Sequence, residues 1–220
     1  MWKTVLYQVV SIQVNETDVY NFFVMEDNGT ETTLLMDRNL GEDVYWNADG
    51  EGISRGPVTA LNQLNSYTAG WTKIAPIVSY SYINNPDPNN YGYRGLQIIN
   101  GVGTLTSEDG STKTQVLGTS RARMITFAEV ESLAAGNYWF IQENFSEPPR
   151  SASSDVDSDK PIVLPLTSTT IQYSPNGYTD RVNYWTLTTN STSVRHVSDN
   201  GFGDSDRSIE GLRPVITLKK

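Results

Sequence analysis

The sequence predicts an α+β fold with two helices and antiparallel sheets. Three observations predict it. The chain opens on runs dense in β-branched and aromatic residues, separated by turn formers. Two later segments carry helix start and stop signals. The chain then closes on a firm strand pattern, GLRPVITLKK.

TVLYQVVSIQV (4–14) and VYNFFVM (19–25) read as strands joined by the turn-like NETD. After the turn DNG (27–29), TETTLLMDRNL reads as a third strand, completing an antiparallel meander. The first helix is GPVTALNQLNSYTAGW, in which Pro57 suits the first helical position, where its missing N–H costs nothing. Val58, Leu61, Leu64 or Asn65, Thr68 and Trp71 trace its apolar stripe, and Gly70 suits a left-handed C-cap. In the second helix, TFAEVESLAAG, Thr126 and Glu129 form a capping box, Ile125 and Val130 a hydrophobic staple, and Gly136 a stop. Residues 76–120 are rich in Gly, Asn, Pro and Tyr and hold strands or a hairpin within GLQIINGVGTLTSEDGSTKTQVL. Residues 143–160 (ENFSEPPRSASSDVDSDK) read as a mobile loop. PIVLPL and TIQYS are short strand candidates, and YWTLT and SVRHVS read as a strand pair with an exposed connection. The helices and the last strand need a common sheet, which favours one domain over residues 1–220.

Composition excludes several functions. At 24.5 kDa the chain can bury roughly 70% of its unfolded surface. A net charge of −9 argues against a nucleic-acid-binding surface. With no cysteine there is no disulfide, thiolate nucleophile or Cys-ligated metal, and one histidine excludes a His-rich metal site. No apolar run approaches the ~20 residues needed to span a bilayer, so direct membrane insertion is not expected. The start MWKTVLYQVVSIQV lacks a signal-peptide layout, because Gln8 and Gln13 break its apolar run.

The order of elements and three short motifs resemble the C-type lectin fold, in its formylglycine-generating-enzyme-like branch. Gly56-Pro57-Val58 resembles that branch's "PV" helix opening. Arg123-Met124-Ile125-Thr126-Phe127-Ala128-Glu129 resembles its "R-L-P-T-x-x-E" segment, and Gly211-Leu212-Arg213 its closing "G-F-R". The likeness covers residues 30–75 and 120–220 and implies first and last strands brought near each other. The parent enzyme's activity does not transfer, because it depends on cysteines. LMDRNLG…VYW…GPVTAL and the ending YW…GLRPVI also resemble bacterial surface and pilin-like domains, and the variable proteins of diversity-generating retroelements, which share the fold.

That last resemblance bears on YWTLTTNSTSVRHVSDNGFGDSDR (184–207), a polar segment without Lys, Glu, Gln or Met. In the retroelement proteins, hypervariable residues lie just before the last strand. Mutated Asn-type codons become NNY there, and NNY encodes none of those four residues, nor Trp. Trp185 would then be fixed scaffold. The competing explanation is a polar loop and short strand rich in turn formers.

Other constellations are weaker. His196, beside Arg195 and near Asp199, reads as a surface histidine rather than part of a triad. DNGFGDSD (199–206) and DVDSD (155–159) offer oxygen ligands but lack the full calcium-loop pattern. Glu147-Pro148-Pro149 and Trp46-Asn47-Ala48-Asp49 are poor versions of the lectin sugar motifs. Tyr80, Tyr82, Tyr91, Tyr93, Tyr178, Tyr184 and Trp185 fall in loops with Ser, Gly and Asn, a paratope-like composition. Packing beneath long loops is the equal alternative. Trp46, Trp71, Trp139 and Trp185 read as core, and Arg213 as structural.

The expectation is a non-catalytic binding or display protein, with no cofactor and no metal. Its contacts would come from Tyr184, Thr189, Asn190, Thr192, Arg195, His196, Asp199, Asn200, Phe202, Asp204 and Asp206. The partner is a protein or glycan on a target cell or particle, and the location extracellular, on a cell surface or a virion. The alternatives are a fixed surface or pilin-associated adhesin and a degenerate formylglycine-generating-enzyme-like enzyme.

Overall fold

The computed structural model describes residues 8–48, 52–84, 93–107, 114–134, 184–189, 193–198, 201–205 and 209–220. The expected loop at 143–160, the strand candidates PIVLPL and TIQYS, Gly136, Trp139, Tyr91 and Tyr178 lie outside them.

The opening meander forms as its β-branched and aromatic runs predict. β1 (Val9–Gln13), β2 (Val19–Asp27) and β3 (Glu31–Met36) pair antiparallel in chain order, with Val9 opposite Phe23 and Phe23 opposite Leu35. Its turns are set by asparagine. Asn15 Oδ1 accepts from the N–H groups of Thr17 (2.9 Å) and Asp18 (2.7 Å), and Asn28 Oδ1 from those of Thr30 (3.0 Å) and Glu31 (2.8 Å). These side chains replace backbone partners that a tight reversal leaves open.

β4 (Val44–Tyr45) and a 3₁₀ turn (Gly52–Arg55) lead to α1 (Val58–Thr68). The predicted stripe is the buried face: Val58, Leu61, Leu64 and Thr68, with Trp71 beyond the end. Two details differ from expectation. Pro57 is the N-cap, one residue earlier than predicted. Gly70 is not a left-handed cap; Ala69 ends the helix in right-handed geometry, and Trp71 N–H returns to Thr68 O at 3.0 Å. Tight i→i+3 bonds close the last turn instead.

β5 (Ser79–Ile83), β6 (Gly95–Ile99), β7 (Val102–Thr106) and β8 (Thr114–Thr119) form a second antiparallel meander in chain order. Asn100 (φ 49°) and Gly101 (φ 83°) join β6 to β7. Two consecutive left-handed residues match the twist of a two-residue hairpin, and Asn-Gly tolerates them best.

α2 (Phe127–Ala134) carries the predicted box: Thr126 N–H donates to Glu129 Oε2 (2.8 Å) and Glu129 N–H to Thr126 Oγ1 (3.2 Å). The staple residues Ile125 and Val130 are buried in one cluster. β9 (Tyr184–Thr189), β10 (Val194–Ser198) and β11 (Gly201–Ser205) form a three-stranded antiparallel sheet. β12 (Ile209–Glu210) pairs with β4, and β13 (Val215–Lys219) with β3. First and last strands therefore share a sheet, ordered β1-β2-β3-β13, but at opposite edges. The two strands are thus brought into one sheet, as expected, with β3 offering the edge that β13 fills. The larger core gathers Val14, Phe22, Trp46, Leu64, Leu96, Trp185 and Ile216, so it draws on the whole described chain. A smaller one joins Phe23, Leu35, Ile125, Val130, Tyr184, Val197 and Val215.

Arg123 ties these parts together. Its backbone exchanges hydrogen bonds with Val215 (2.9 and 2.8 Å), and its guanidinium meets Glu129 at 2.9 and 2.5 Å. The guanidinium also lies 4.5 Å from the centre of the Tyr80 ring. Burial alone would raise the Glu129 carboxyl pKa, but hydrogen bonds and charge from Arg123 hold it below its ordinary value. Its folded-state pKa being depressed, Glu129 adds stability that is complete above the unfolded value near 4.5 and is lost as pH falls through the folded one. Glu129→Ala strands a buried cation and removes a cap, at a cost of about 3 kcal/mol in urea unfolding at pH 7. Glu129→Gln flattens the acid limb of stability against pH.

Candidate functional site

The segment with the restricted alphabet contains β9, β10 and β11, and its first strand is not a surface. β9 has both faces covered: Trp185 and Leu187 enter the larger core, and Tyr184 the smaller. Two tryptophans exchange indole bonds across the junction. Trp185 Nε1 donates to Val44 O (2.7 Å) and Trp46 Nε1 to Thr186 O (3.0 Å). A buried indole N–H needs such a partner. Tyr93, fully buried, donates its hydroxyl to Leu187 O, and burial pushes its pKa well up.

The threonines of β9 are internal connectors. Thr186 Oγ1 donates to Arg195 O at 2.6 Å. Thr188 Oγ1 accepts from Phe127 N–H (2.9 Å) in the first turn of α2 and shares a 2.7 Å hydrogen bond with Tyr82 Oη. Burial first, against that hydrogen bond, pushes the Tyr82 pKa up to about 12. Asn84 clamps Thr189: Thr189 N–H donates to Asn84 Oδ1 (2.8 Å), and Asn84 Nδ2 donates to Thr189 Oγ1 (2.7 Å) and Tyr93 O (3.1 Å). A polar strand can be buried because each of these groups finds a partner.

β10 crosses β9 antiparallel, with His196 opposite Trp185 and Val197 opposite Tyr184. His196 is buried, edge-on to Trp185 at 5.7 Å, with Nε2 3.9 Å from Oε1 of buried Glu210. The Arg195 guanidinium lies 4.2 Å from the centre of the Phe127 ring and stays partly exposed. β11 pairs with β10 and is the edge of its sheet among the described residues.

Three of the expected contact residues are therefore corrected. Tyr184 is fully buried beneath Arg213, whose guanidinium lies 4.4 Å from its ring centre. Thr189 is enclosed by Asn84, and His196 is a core residue rather than a surface one. Arg195 remains accessible. Phe202 and Asp204 lie on β11, while Asn190, Thr192, Asp199, Asn200 and Asp206 lie outside the described residues. The core assignments of Trp46, Trp71 and Trp185 and the structural reading of Arg213 agree with the structure. Sequence reasoning missed Asn84, the two indole bonds and Glu210. Of this network it singles out Trp46 and Trp185 as core, Tyr184, Thr189 and His196 as contacts, and Tyr82 and Tyr93 as aromatics of unsettled role.

Among the described residues no group of three or more His, Asp or Glu is placed to hold a metal ion. The segment 155–159, Glu147-Pro148-Pro149 and Asp49 lie outside them. A groove of about 480 Å³, lined in part by Tyr80, Arg123, Lys73, Glu31, Thr33 and Thr217, includes no residue of β9, β10 or β11. Burial holds its Tyr80 phenol protonated, and Glu129 occupies Arg123.

No protein-family model, no curated protein and no solved structure matches the chain.

Asn84→Ala leaves the Thr189 N–H and the Tyr93 carbonyl buried without partners, and should cost about 2–3 kcal/mol by denaturant unfolding. Thr188→Val removes the oxygen that caps Phe127 N–H and should cost about 1–2 kcal/mol. A neutral result for either would show that β9 is not held by these bonds.

Proposed function

We propose that the protein is a non-catalytic binding domain of C-type-lectin-like architecture, which presents the β10–β11 hairpin and its flanks to a protein or glycan. In the sharpest form of this reading it is a variable protein of a diversity-generating retroelement, acting outside the cell or on a cell or virion surface. The observation that carries the reading is a contrast within one segment. Tyr184–Thr189 is locked between two cores, whereas Gly201–Ser205 forms the edge of the same sheet among the described residues. An edge strand separated from the rigid strand by β10 lets contact residues change without disturbing packing. The motif order around Arg123 and Arg213 supports the same reading, since both arginines have buried structural roles.

This narrows the candidate contacts to Asn190, Thr192, Arg195, Asp199, Asn200, Phe202, Asp204 and Asp206. Sequencing the gene across a natural population tests it. Substitutions should concentrate at those codons, in NNY form, with a template copy nearby. Codons for Tyr184, Trp185, Leu187, Val194 and Val197 should stay constant, because their side chains are buried. Uniform sequence across the population sinks the retroelement form and leaves a fixed adhesin surface. Substitutions at the buried positions as often as at the others sink the display reading itself.

A further inference from the structure

His196 is the only histidine in the chain, and it sits in a closed ring of contacts. Its imidazole meets Trp185 edge-on at 5.7 Å. The Trp185 indole N–H donates to Val44 O at 2.7 Å, Val44 stands opposite Glu210, and Glu210 Oε1 lies 3.9 Å from His196 Nε2. His196 is 8% exposed and Glu210 4%, so water reaches neither freely. The second carboxylate oxygen, Glu210 Oε2, is buried without a hydrogen-bond partner among the described residues. A carboxylate enclosed in this way is costly unless a cation or a proton compensates it. The neighbouring arginines are engaged elsewhere, Arg195 on the Phe127 ring and Arg213 on the Tyr184 ring. The elements around His196 set no other charge opposite it: Trp185 on β9 and Gly203 on β11. Asp204 stands opposite Arg195 and Tyr45 opposite Ile209, each one position off, where strand alternation turns side chains to the other face.

The pair joins a strand with an interrupted ladder to an anchored one. The β9–β10 register breaks between Val194 and His196, where Thr186 Oγ1 bonds to Arg195 O at 2.6 Å in place of the ladder. Glu210 is held on both sides: it pairs with Val44, and the next carbonyl, Gly211 O, accepts from Trp185 N–H at 3.1 Å. We propose that His196 and Glu210 form a proton-operated latch, which holds the β10–β11 hairpin against β12 and loosens it as pH rises. Its effect on recognition rests on the reading of that hairpin as the presenting element. The pair shares one proton. With it, imidazolium and carboxylate compensate each other inside the fold. Without it, a bare carboxylate faces a neutral ring, and the hairpin must open to admit water. An exposed histidine releases its proton near pH ~6.5, and a carboxylate partner delays the release. The folded chain therefore binds this proton more tightly than the unfolded one. The stability it adds is complete below about pH 6.5 and is lost as pH rises through the folded value.

NMR of the full chain tests this directly, because one histidine gives one set of imidazole signals. Those signals should titrate above the ~6.5 of an exposed histidine. Over the same interval, amide exchange of Val194–Ser198 and Gly201–Ser205, corrected for intrinsic base catalysis, should speed about tenfold per pH unit by which the titration is raised. Exchange in the meander Val9–Met36 should not follow it. Glu210→Gln keeps the side-chain shape and removes the charge, so it should bring the titration to ~6.5 or below and abolish the step in hairpin exchange. Titration of the unaltered chain at or below ~6.5 overturns the proposal, as does hairpin exchange that ignores the titration. Equal acceleration in Val9–Met36 also overturns it, since the whole fold then opens. No ligand enters these measurements, so the latch can fail while the display reading stands, and the reverse.

Discussion

A guanidinium removed from water is costly unless a carboxylate meets it, and the fold is arranged around one such meeting. Arg123 sits where three elements converge: β13 bonds to its backbone, α2 supplies Glu129, and β5 supplies the Tyr80 ring. Glu129 also caps the helix that it begins, accepting from Thr126 N–H and Oγ1. The same carboxylate thus fixes the start of α2 and neutralises the cation linking the two meanders. Removing one partner leaves the other buried, so the elements depend on the pair jointly.

A second constraint acts on β9. A strand covered on both faces normally reads as a continuous apolar run. This one alternates large apolar side chains with threonines, and the threonines survive burial by joining elements. Thr186 holds β10, Thr188 holds α2 and Tyr82, and Thr189 is held by Asn84. The restricted alphabet of the segment therefore has a structural cause in its first part. Any role in recognition falls to residues beyond Thr189.

The surfaces divide along the same lines. Among the described residues Gly201–Ser205 is the edge of its sheet, with β10 between it and the strand locked into both cores. The outer face of β5 to β8 has another character, uncharged and mixed in Ser, Thr and aliphatic residues, while the protein as a whole is acidic.

Features that depend on neighbours along the chain were legible in the sequence. The capping box at Thr126 and Glu129 was readable because its partners are three residues apart, and the meander Val9–Met36 because β-branched runs and turn formers are local signals. The Trp46, Trp71 and Trp185 core was readable from size and hydrophobicity alone. Tertiary packing, by contrast, joins β13 to β3 rather than β1, lets Trp46 and Trp185 trade indole bonds across 140 and 141 residues, and brings Asn84 to Thr189. It also turns Tyr184, Thr189 and His196 inward. Polar composition signals exposure only when no distant partner is available, and a linear reading cannot see Asn84, Arg213 or Glu210 arriving from elsewhere in the chain.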